Sequence, residues 1–425
     1  MRNPLAVVPR AAYEQDFVGS RRGPRKFAWV TSPALVKTVL LDERDKFHKL
    51  STIRFLSPLL GKGILTSEGA DWRWQRQASS PMFRREDVLG FVPTFVRATG
   101  KLLAAWRAAP GVRSIDRDMQ RVTFDVISAT LLPSADETVG PAVERSVERF
   151  QKAGAWGQFF AMANIPQWLP RPGLVEGRRS VAELRGAVAR MMGERRALKA
   201  EPDDLMNRLM HARDPETGQQ MNDEQLIDNL LTFYLAGHET TARALTWTLF
   251  LLARFPDWTE KLVAEISSVT RGAPIEAGHL ERLVLTQQVL KESMRLYPPV
   301  PLMSRQAVVD TELAGEPISV GTSVVMPIYA IHRHARRWED PDAFDPGRFA
   351  PGREEKIPRY QYMPFGAGPR ICIGMAFAQI EATAILATLL QHARFAPVEG
   401  HVPEPVARVT LLPKGGMPLK VSLAS

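Results

Sequence analysis

Residues 365–374 read Phe-Gly-Ala-Gly-Pro-Arg-Ile-Cys-Ile-Gly and contain Cys372, the one cysteine of the 425-residue chain. A run rich in alanine, leucine and isoleucine follows from Met375 to about Phe395. The pattern predicts a tight, glycine-built loop just ahead of a helix N-terminus. Unpaired helix N–H groups and the helix dipole stabilise negative charge there, so a thiolate is favoured. An intrachain disulfide is excluded, because no second cysteine exists.

Three roles are open to this thiol when only its own chemistry is considered. It can ligate a soft metal, attack an electrophile, or pack as a small buried hydrophobe, which is the commoner role of a lone cysteine. No Cys-His protease signature surrounds it. Its neighbours favour metal ligation, because five residues match the haem-binding loop of the cytochrome P450 family at every fixed position. They are Phe365, Gly368, Arg370, Cys372 and Gly374.

The chain resembles this family over nearly its whole length, from the helix at Trp72 through the cysteine loop. The resemblance implies one haem-thiolate monooxygenase domain over residues 1–425, with a long central helix over the haem. Its β-rich part would comprise about 15–50, 303–330 and 396–425, and the remainder would be helical.

The hydrophobic pattern agrees with that architecture, because it predicts a mainly α fold with a minor β part. Strand-like sequence occupies residues 27–31 and the turn-rich stretch 303–326, and residues 33–41 read as a helix. Further helices are predicted over 71–79, 84–109, 115–133, 138–153, 174–199, 257–270 and 282–296.

The cofactor that the resemblance implies is heme b, iron protoporphyrin IX, with Cys372 as the axial ligand of the iron. Arginine suits the haem propionates because its fork matches a carboxylate. By resemblance the propionate partners are Trp72, Arg76, Arg305 and Arg370. Four further residues would contact the haem: Phe365, Gly366, Gly374 and Ala236.

A second signal lies in a long helical pattern that begins after the candidate N-cap Asn222 and runs to Phe255. Within it, Glu239 and Thr240 place an acid beside an alcohol, a pair that can pass protons to a buried site. The alternative is a helix-packing glycine at Gly237 and a threonine bonded to its own backbone. A glycine near a threonine hydroxyl suggests local distortion, with room for a ligand against the backbone. The resemblance implies the family's oxygen-activation groove, with Thr240 and Glu239 as catalytic residues.

His238, within the same segment, is a competing candidate for the haem ligand, since imidazole is the commonest haem ligand. It occupies a variable position of the family pattern, so we interpret it as a packing histidine.

A third signal is Glu292 and Arg295, three apart and therefore on one helix face. The resemblance adds Arg348 and implies a buried structural triad. The chain departs from the family at Gly347, where an acidic residue is usual, and this puts the local loop geometry in doubt.

The sequence identifies the residues of the substrate pocket less specifically. Six residues are candidates to line it: Phe159, Phe160, Phe233, Val300, Leu302 and Met303. Each is more often a core residue, but together they indicate an apolar cavity without a charged anchor.

Charge is unevenly distributed along the chain. The net charge is +9, and residues 1–113 carry 20 Lys and Arg against 9 Asp and Glu. A basic surface can attract nucleic acid, anionic lipid or an acidic protein, although a solvated face is the simplest interpretation. No nucleic-acid module is visible. The N-terminal apolar run is too short for a membrane anchor, and a cytoplasmic enzyme is expected.

The resemblance implies insertion of one oxygen atom from dioxygen into an apolar small molecule, by hydroxylation or epoxidation. No flavin or ferredoxin module is visible, so electrons would come from NAD(P)H through a small acidic ferredoxin and its reductase. The basic helix around Arg73, Arg76, Arg84 and Arg85 is the expected docking surface.

Two alternatives remain open. One is a haem-thiolate peroxygenase or hydroperoxide isomerase, and the other is a haem-based ligand sensor or carrier. The acid–alcohol pair at 239–240 favours the monooxygenase, because neither alternative needs proton delivery.

Overall fold

A computed structural model describes residues 3–23, 25–131, 173–198 and 204–423. The chain forms two units. The cysteine unit comprises Met1–Phe47, Arg85–Val126 and His238–Ser425, and the helical unit comprises His48–Arg84 and Ile127–Gly237. The predicted helix at 138–153 lies outside the described residues.

Helices dominate both units, as predicted. In the described part of the chain they are α1 Pro33–Lys37, α2 Leu50–Leu60, α3 Gly69–Ser79, α4 Arg85–Leu89, α5 Val92–Ala108, α6 Ile115–Leu131, α7 Leu174–Arg196, α8 Leu205–Met210, α9 Asp223–Arg254, α10 Pro256–Thr270, α11 Ala277–Leu280, α12 Val284–Leu296, α13 Ile328–Ile331 and α14 Met375–His392.

The strands in the described part of the chain are short. They are β1 Phe17–Arg22, β2 Arg25–Val30, β3 Phe47–His48, β4 Gly111–Ser114, β5 Met303–Ala307, β6 Thr311–Leu313, β7 Glu316–Ile318, β8 Ser323–Met326, β9 Ala393–Pro397, β10 Glu404–Ala407, β11 Leu411–Lys414 and β12 Pro418–Leu423.

The main sheet has the strand order β1-β2-β8-β5-β3. Strand β8 runs parallel to β2 and antiparallel to β5, and Arg305 lies opposite Val324. Apolar side chains such as Val30, Val324 and Met326 form the core on this sheet, which Val36 of α1 joins. A second sheet has the order β4-β12-β9, and two hairpins, β6-β7 and β10-β11, complete the β part.

The predicted long helix is confirmed as α9, whose 32 residues extend about 48 Å at 1.5 Å per residue. Asn222 caps it as expected. Its Oδ1 accepts the Gln225 N–H at 2.9 Å, and the Gln225 side chain accepts the Asn222 N–H at 3.1 Å. Pro256 opens the next helix, and a residue before proline avoids the helical conformation, so α9 stops there.

Three predicted boundaries were wrong. The helix after the cysteine ends at His392, because residues 393–397 pair with β12 as strand β9. The helix predicted over 84–109 is two helices, α4 and α5, separated by a turn at Gly90. The one at 33–41 is α1 followed by a wider π turn over Thr38–Asp42. Strand β4 has no counterpart in the sequence-based prediction.

Among the described residues, one segment, Arg85–Ala108, is long and apolar enough by composition to cross a membrane. It comprises α4 and α5. Helix α5 packs against α14 through Phe95, whose ring meets Phe377 edge to face at 5.3 Å. The core helix of a soluble protein has the same composition, so this segment is weak evidence for a membrane span.

Candidate active site

The cysteine loop, residues 365–374, is held by its own backbone. The Cys372 N–H donates to the Phe365 carbonyl at 3.0 Å, and the Ile371 N–H donates to the Gly368 carbonyl at 3.1 Å. Gly366 and Gly368 both have a φ of +72°, in the left-handed region that favours glycine. A Cβ at position 368 would lie 2.6 Å from the Leu40 carbonyl oxygen, so only glycine fits there.

Cys372 itself is exposed on this loop, three residues before Met375, where α14 begins. The alternative of a buried structural cysteine is therefore wrong. Gly374 occupies the N-cap position of α14. The expected placement of the sulfur ahead of a helix N-terminus is confirmed, and unpaired N–H groups there favour the thiolate.

Two predicted propionate partners lie in the same unit as the cysteine. Arg305, on β5, is buried, and its Nη1 donates to the Ser304 carbonyl at 2.9 Å. Arg370 is half-buried within the loop. Met303, next to Ser304 on β5, approaches the loop, because its sulfur would lie 3.3 Å from a Cβ at Gly366. A thiol for iron and arginines for carboxylates form a donor set that fits haem.

The helical unit carries the other predicted haem contacts. Trp72 and Arg76 lie one turn apart on α3 and are both half-buried. Ala236 is exposed in the middle of α9, between the buried residues Tyr234 and His238. The exposed position of this small side chain is consistent with the expected haem contact.

The acid–alcohol pair lies in the second half of α9, which belongs to the cysteine unit. Glu239 Oε1 accepts a hydrogen bond from the Thr410 hydroxyl at 2.8 Å and lies 3.6 Å from Arg243 Nη2. Thr240 and Glu239 are both half-buried. The carboxylate and the hydroxyl are thus partly accessible, as groups that transfer protons must be.

Helix α9 is continuous through Gly237, so the distortion expected there is not seen. A Cβ at this glycine would lie 2.9 Å from Ile127 Cδ1 on α6, and the glycine therefore serves helix packing. His238 is buried with its ring edge-on to Phe124, and its carbonyl accepts the Thr123 hydroxyl at 2.8 Å. This environment supports the interpretation of His238 as a packing histidine.

The structure brings the predicted triad together. Arg295 Nε and Nη2 donate to the two oxygens of Glu292 at 2.6 and 2.7 Å. Arg348 Nε lies 3.5 Å from Glu292 Oε1. The remaining Arg295 donors reach backbone carbonyls in the segment between α13 and α14. These belong to His332, Pro341 and Ala343.

The departure at Gly347 has a local reason. Asp345 Oδ1 accepts the Gly347 N–H at 2.9 Å and so caps a short 3-10 helix. A Cβ at position 347 would also lie 2.9 Å from that oxygen, which leaves little space for a side chain. Asp345 thus supplies an acidic group two residues earlier, and its N–H donates to Glu292.

The predicted pocket residues are scattered in what the structure describes. Phe159 and Phe160 lie outside the described residues. Val300, Leu302 and Met303 are half-buried in the segment that leads into β5. Phe233 belongs to the helical unit, where it is buried edge to face with Phe83 at 5.1 Å.

The sequence analysis did not identify two buried titratable residues near the site. His332 Nε2 accepts the N–H of Met363, just before the cysteine loop, and burial lowers the pKa of this histidine to about 3. Nothing in its local sequence marks it. Glu381 lies on α14, where burial raises its pKa to about 8. An acidic residue inside an apolar run was a signal that could have revealed it.

Comparisons with known proteins agree with this geometry. The family model described as Cytochrome P450 matches residues 8–420. The cyclooctat-9-en-7-ol 5-monooxygenase of Streptomyces melanosporofaciens is 32% identical over 94% of this chain and 86% of its own. Pentalenene oxygenase of Streptomyces avermitilis is 29% identical, over 97% of this chain and 91% of its own.

Solved structures give the same result. A crystal structure of the cytochrome P450DA heme domain superposes with a TM-score of 0.87 at 26% identity, and covers 96% of this chain and 90% of its own. The family implies a haem cofactor, which the thiol and arginine donors described above suit. The chain therefore belongs to the cytochrome P450 family and is an oxidoreductase.

Proposed function

We propose that this P450 enzyme is a haem-thiolate monooxygenase that inserts one oxygen atom from dioxygen into an apolar small molecule, by hydroxylation or epoxidation. One observation carries the proposal: an exposed cysteine stands ahead of α14 on a loop that two left-handed glycines shape. The acid–alcohol pair on α9 supports it. Residues 1–425 would act as one functional domain, and we expect the enzyme to be cytoplasmic.

The cofactor we propose is heme b, and Cys372 would supply the thiolate that binds its iron. Phe365, Gly366, Gly374 and Ala236 would contact the ring. The propionate partners would be Arg305, Arg370, Trp72 and Arg76, as the family resemblance implies. When bound, a haem with a thiolate ligand supplies dioxygen activation, because the sulfur donates electron density that favours O–O cleavage.

Glu239 and Thr240 would supply protons to that reaction. A carboxylate that is half-buried can take a proton from solvent and pass it to a neighbouring hydroxyl. The Thr410 hydroxyl and Arg243 Nη2 hold one oxygen of Glu239. Thr240 would be the last donor on the chain before the reacting oxygen.

Thr240→Ala tests this role. In a monooxygenase the variant should release more hydrogen peroxide and yield several-fold less product per NAD(P)H. An enzyme driven by peroxide, or a ligand sensor, should change little, because neither depends on proton delivery. An unchanged ratio of product to NAD(P)H would therefore favour those alternatives.

The substrate would be apolar, since Val300, Leu302, Met303 and Phe233 are apolar or soft side chains. The names of two relatives point to cyclooctat-9-en-7-ol and pentalenene as their substrates. These two compounds are the first probes to titrate while the spin state of the haem is monitored. A spin-state shift with either would place the substrate in that apolar class.

Electrons would come from a small acidic ferredoxin with its NAD(P)H reductase. Arg73 and Arg84 are exposed in the helical unit, whereas Arg76 is half-buried. In the cysteine unit Arg85 is exposed but pairs with Glu281 at 3.1 Å, and Arg97 and Lys101 are exposed on α5. Reduction by the ferredoxin should slow as salt rises, because screening weakens exposed charge pairs. A rate independent of ionic strength would contradict this docking.

The decisive experiment is the absorbance spectrum of the reduced protein with carbon monoxide, recorded for the wild type and for Cys372→His. A thiolate ligand gives a strongly red-shifted Soret band, which the variant should lose. A band at the position typical of histidine ligation in the wild type, or a protein that binds no haem, would refute the proposed function.

A further inference from the structure

Glu239 is held by a side chain that is distant in the sequence. The Thr410 hydroxyl donates to Glu239 Oε1 at 2.8 Å across a separation of 171 residues. Arg243, one turn further along α9, places Nη2 3.6 Å from the same oxygen. All three residues belong to the cysteine unit. The direction of this carboxylate is therefore set from outside the acid–alcohol pair.

Arg243 lies in a buried position, where a charged side chain is energetically unfavourable. Its side chain is 6% exposed, and its Nε has no hydrogen-bond partner within the part of the chain that the structure describes. Burial lowers its pKa, and the nearby carboxylates of Glu239 and Asp116 oppose that effect. A buried charge with incomplete hydrogen bonding is weak support for stability. A role in orienting Glu239 accounts for it better.

Thr410 ends the turn that joins β10 to β11, and it is buried whereas its neighbour Val409 is exposed. The next residue, Leu411, anchors this turn twice. Its N–H donates to the Pro299 carbonyl at 2.9 Å, and its carbonyl accepts the Trp247 indole N–H at 3.0 Å. Pro299 directly precedes Val300, which opens the segment proposed to face the substrate. One turn thus connects Glu239 with that segment.

We propose that Thr410, assisted by Arg243, is a positioning residue that orients the Glu239 carboxylate, and that the β10–β11 turn couples this orientation to the substrate-facing segment after Pro299. The inference rests on the proposed function. Substrate, dioxygen, NAD(P)H and a proton give oxidised product, water and NAD(P)⁺, and Glu239 passes protons from solvent to the water formed without being consumed.

The first test compares Thr410→Val, which keeps the shape but loses the hydroxyl, with Thr410→Ser, which keeps the hydroxyl. Thr248→Val is the matched control. This buried threonine lies on α9, the helix that carries Glu239, and donates only to the Ala244 carbonyl among its described contacts. Pentalenene or cyclooctat-9-en-7-ol serves as the substrate, with a ferredoxin and its reductase. Product per NAD(P)H is normalised to the product that added hydrogen peroxide yields in the same variant.

Thr410→Val should lower the normalised coupling about 3- to 10-fold, with a matching rise in released peroxide and a larger solvent hydrogen isotope effect. The normalised coupling of Thr410→Ser should lie within about twofold of the wild-type value, and that of Thr248→Val should equal the wild-type value. Normal coupling in Thr410→Val, or a loss that Thr410→Ser shares, would overturn the proposal.

A second test needs no turnover. Midpoints of thermal unfolding are measured for Thr410→Val, Glu239→Gln and the double variant. If the two side chains act as a unit, the unfolding midpoint of the double variant should fall by clearly less than the sum of the two single decreases. Additive losses would refute the positioning contact. The carbon monoxide spectrum of the wild type separately decides the proposed function, so the two failures are distinguishable.

Discussion

The cysteine loop and the cluster of Glu292, Arg295 and Arg348 treat their chemical groups in opposite ways. Cys372 is exposed, and the hydrogen bonds that shape its loop are made by the backbone. Arg295 is completely buried, and all five of its N–H donors are used on Glu292 and on three carbonyls. The thiol proposed for chemistry is accessible, whereas the Arg295 guanidinium is buried with every donor in a hydrogen bond.

Cys372→Ala gives the largest effect expected from this comparison. The thiolate spectrum and the proposed oxygenation should be lost, with activity below about a thousandth of the wild type, because no other described residue of the loop can supply a thiolate. The apo chain should lose less than about 1 kcal/mol of unfolding free energy, since the exposed sulfur fills no core space. Carbon monoxide spectra and urea unfolding measure the two quantities. A Cys372→Ala chain that does not fold would show that Cys372 also has a structural role.

Arg295→Ala should have the reverse effect. Removal of Arg295 leaves the buried Glu292 carboxylate with Arg348 alone, at 3.5 Å, which costs about 3–5 kcal/mol. We expect a large fall in the urea midpoint and little folded protein. Arg353→Ala is the control, because Arg353 is exposed and 3.7 Å from Asp345, and it should change stability by less than about 0.5 kcal/mol. A stable Arg295→Ala protein that lacks only activity would place the cluster in the catalytic machinery.

Glu381 differs from both groups, because it is buried without a full set of hydrogen bonds. Thr241 is its hydrogen-bonding side chain, Oε2 has no partner in the part that the structure describes, and burial raises its pKa from 4.5 to about 8. The folded state therefore holds a proton that the unfolded state releases between about pH 4.5 and 8. Stability from this group is present at low pH and falls as pH rises through 8.

Glu381→Gln removes this dependence, because glutamine cannot ionise. The unfolding free energy of the variant relative to the wild type should rise by roughly 4 kcal/mol between pH 5 and pH 9. Urea unfolding at pH 5, 7 and 9 measures it, with the exposed Glu399→Gln as the control. A difference that is constant with pH would show that the folded Glu381 is ionised throughout.

Sequence alone predicted those parts of the fold and site that depend on nearby residues. The cysteine loop is shaped by glycines within ten positions, and the start of α9 is determined by Asn222 and Gln225. These predictions needed no knowledge of the rest of the chain. The arrangement of Glu292 and Arg295 is similarly local, since they are three residues apart on one helix.

Long-range partners were missed, because they leave no trace in a local pattern. The predicted end of α14 was wrong because β9 pairs with β12, and this strand pairing overrides the local helical preference. Thr410 is 171 residues from the carboxylate that it holds. His332 fixes the backbone of Met363 across 31 residues. In each case tertiary contact, rather than local sequence, determines the outcome.

The smallest predicted effect separates the glycines of the cysteine loop itself. Gly368→Ala should cost about 2 kcal/mol in the apo chain, because alanine is strained at a φ of +72° and its Cβ would meet the Leu40 carbonyl at 2.6 Å. Gly374→Ala should change stability by less than about 0.5 kcal/mol, since its φ is −86° and no atom lies within 4 Å of the added carbon. Urea unfolding of both variants measures the difference. If Gly374→Ala then lowers haem affinity while Gly368→Ala lowers stability, position 374 is kept small for the cofactor and position 368 for the loop. Equal destabilisation by both would mean that the loop is not shaped by its left-handed glycines.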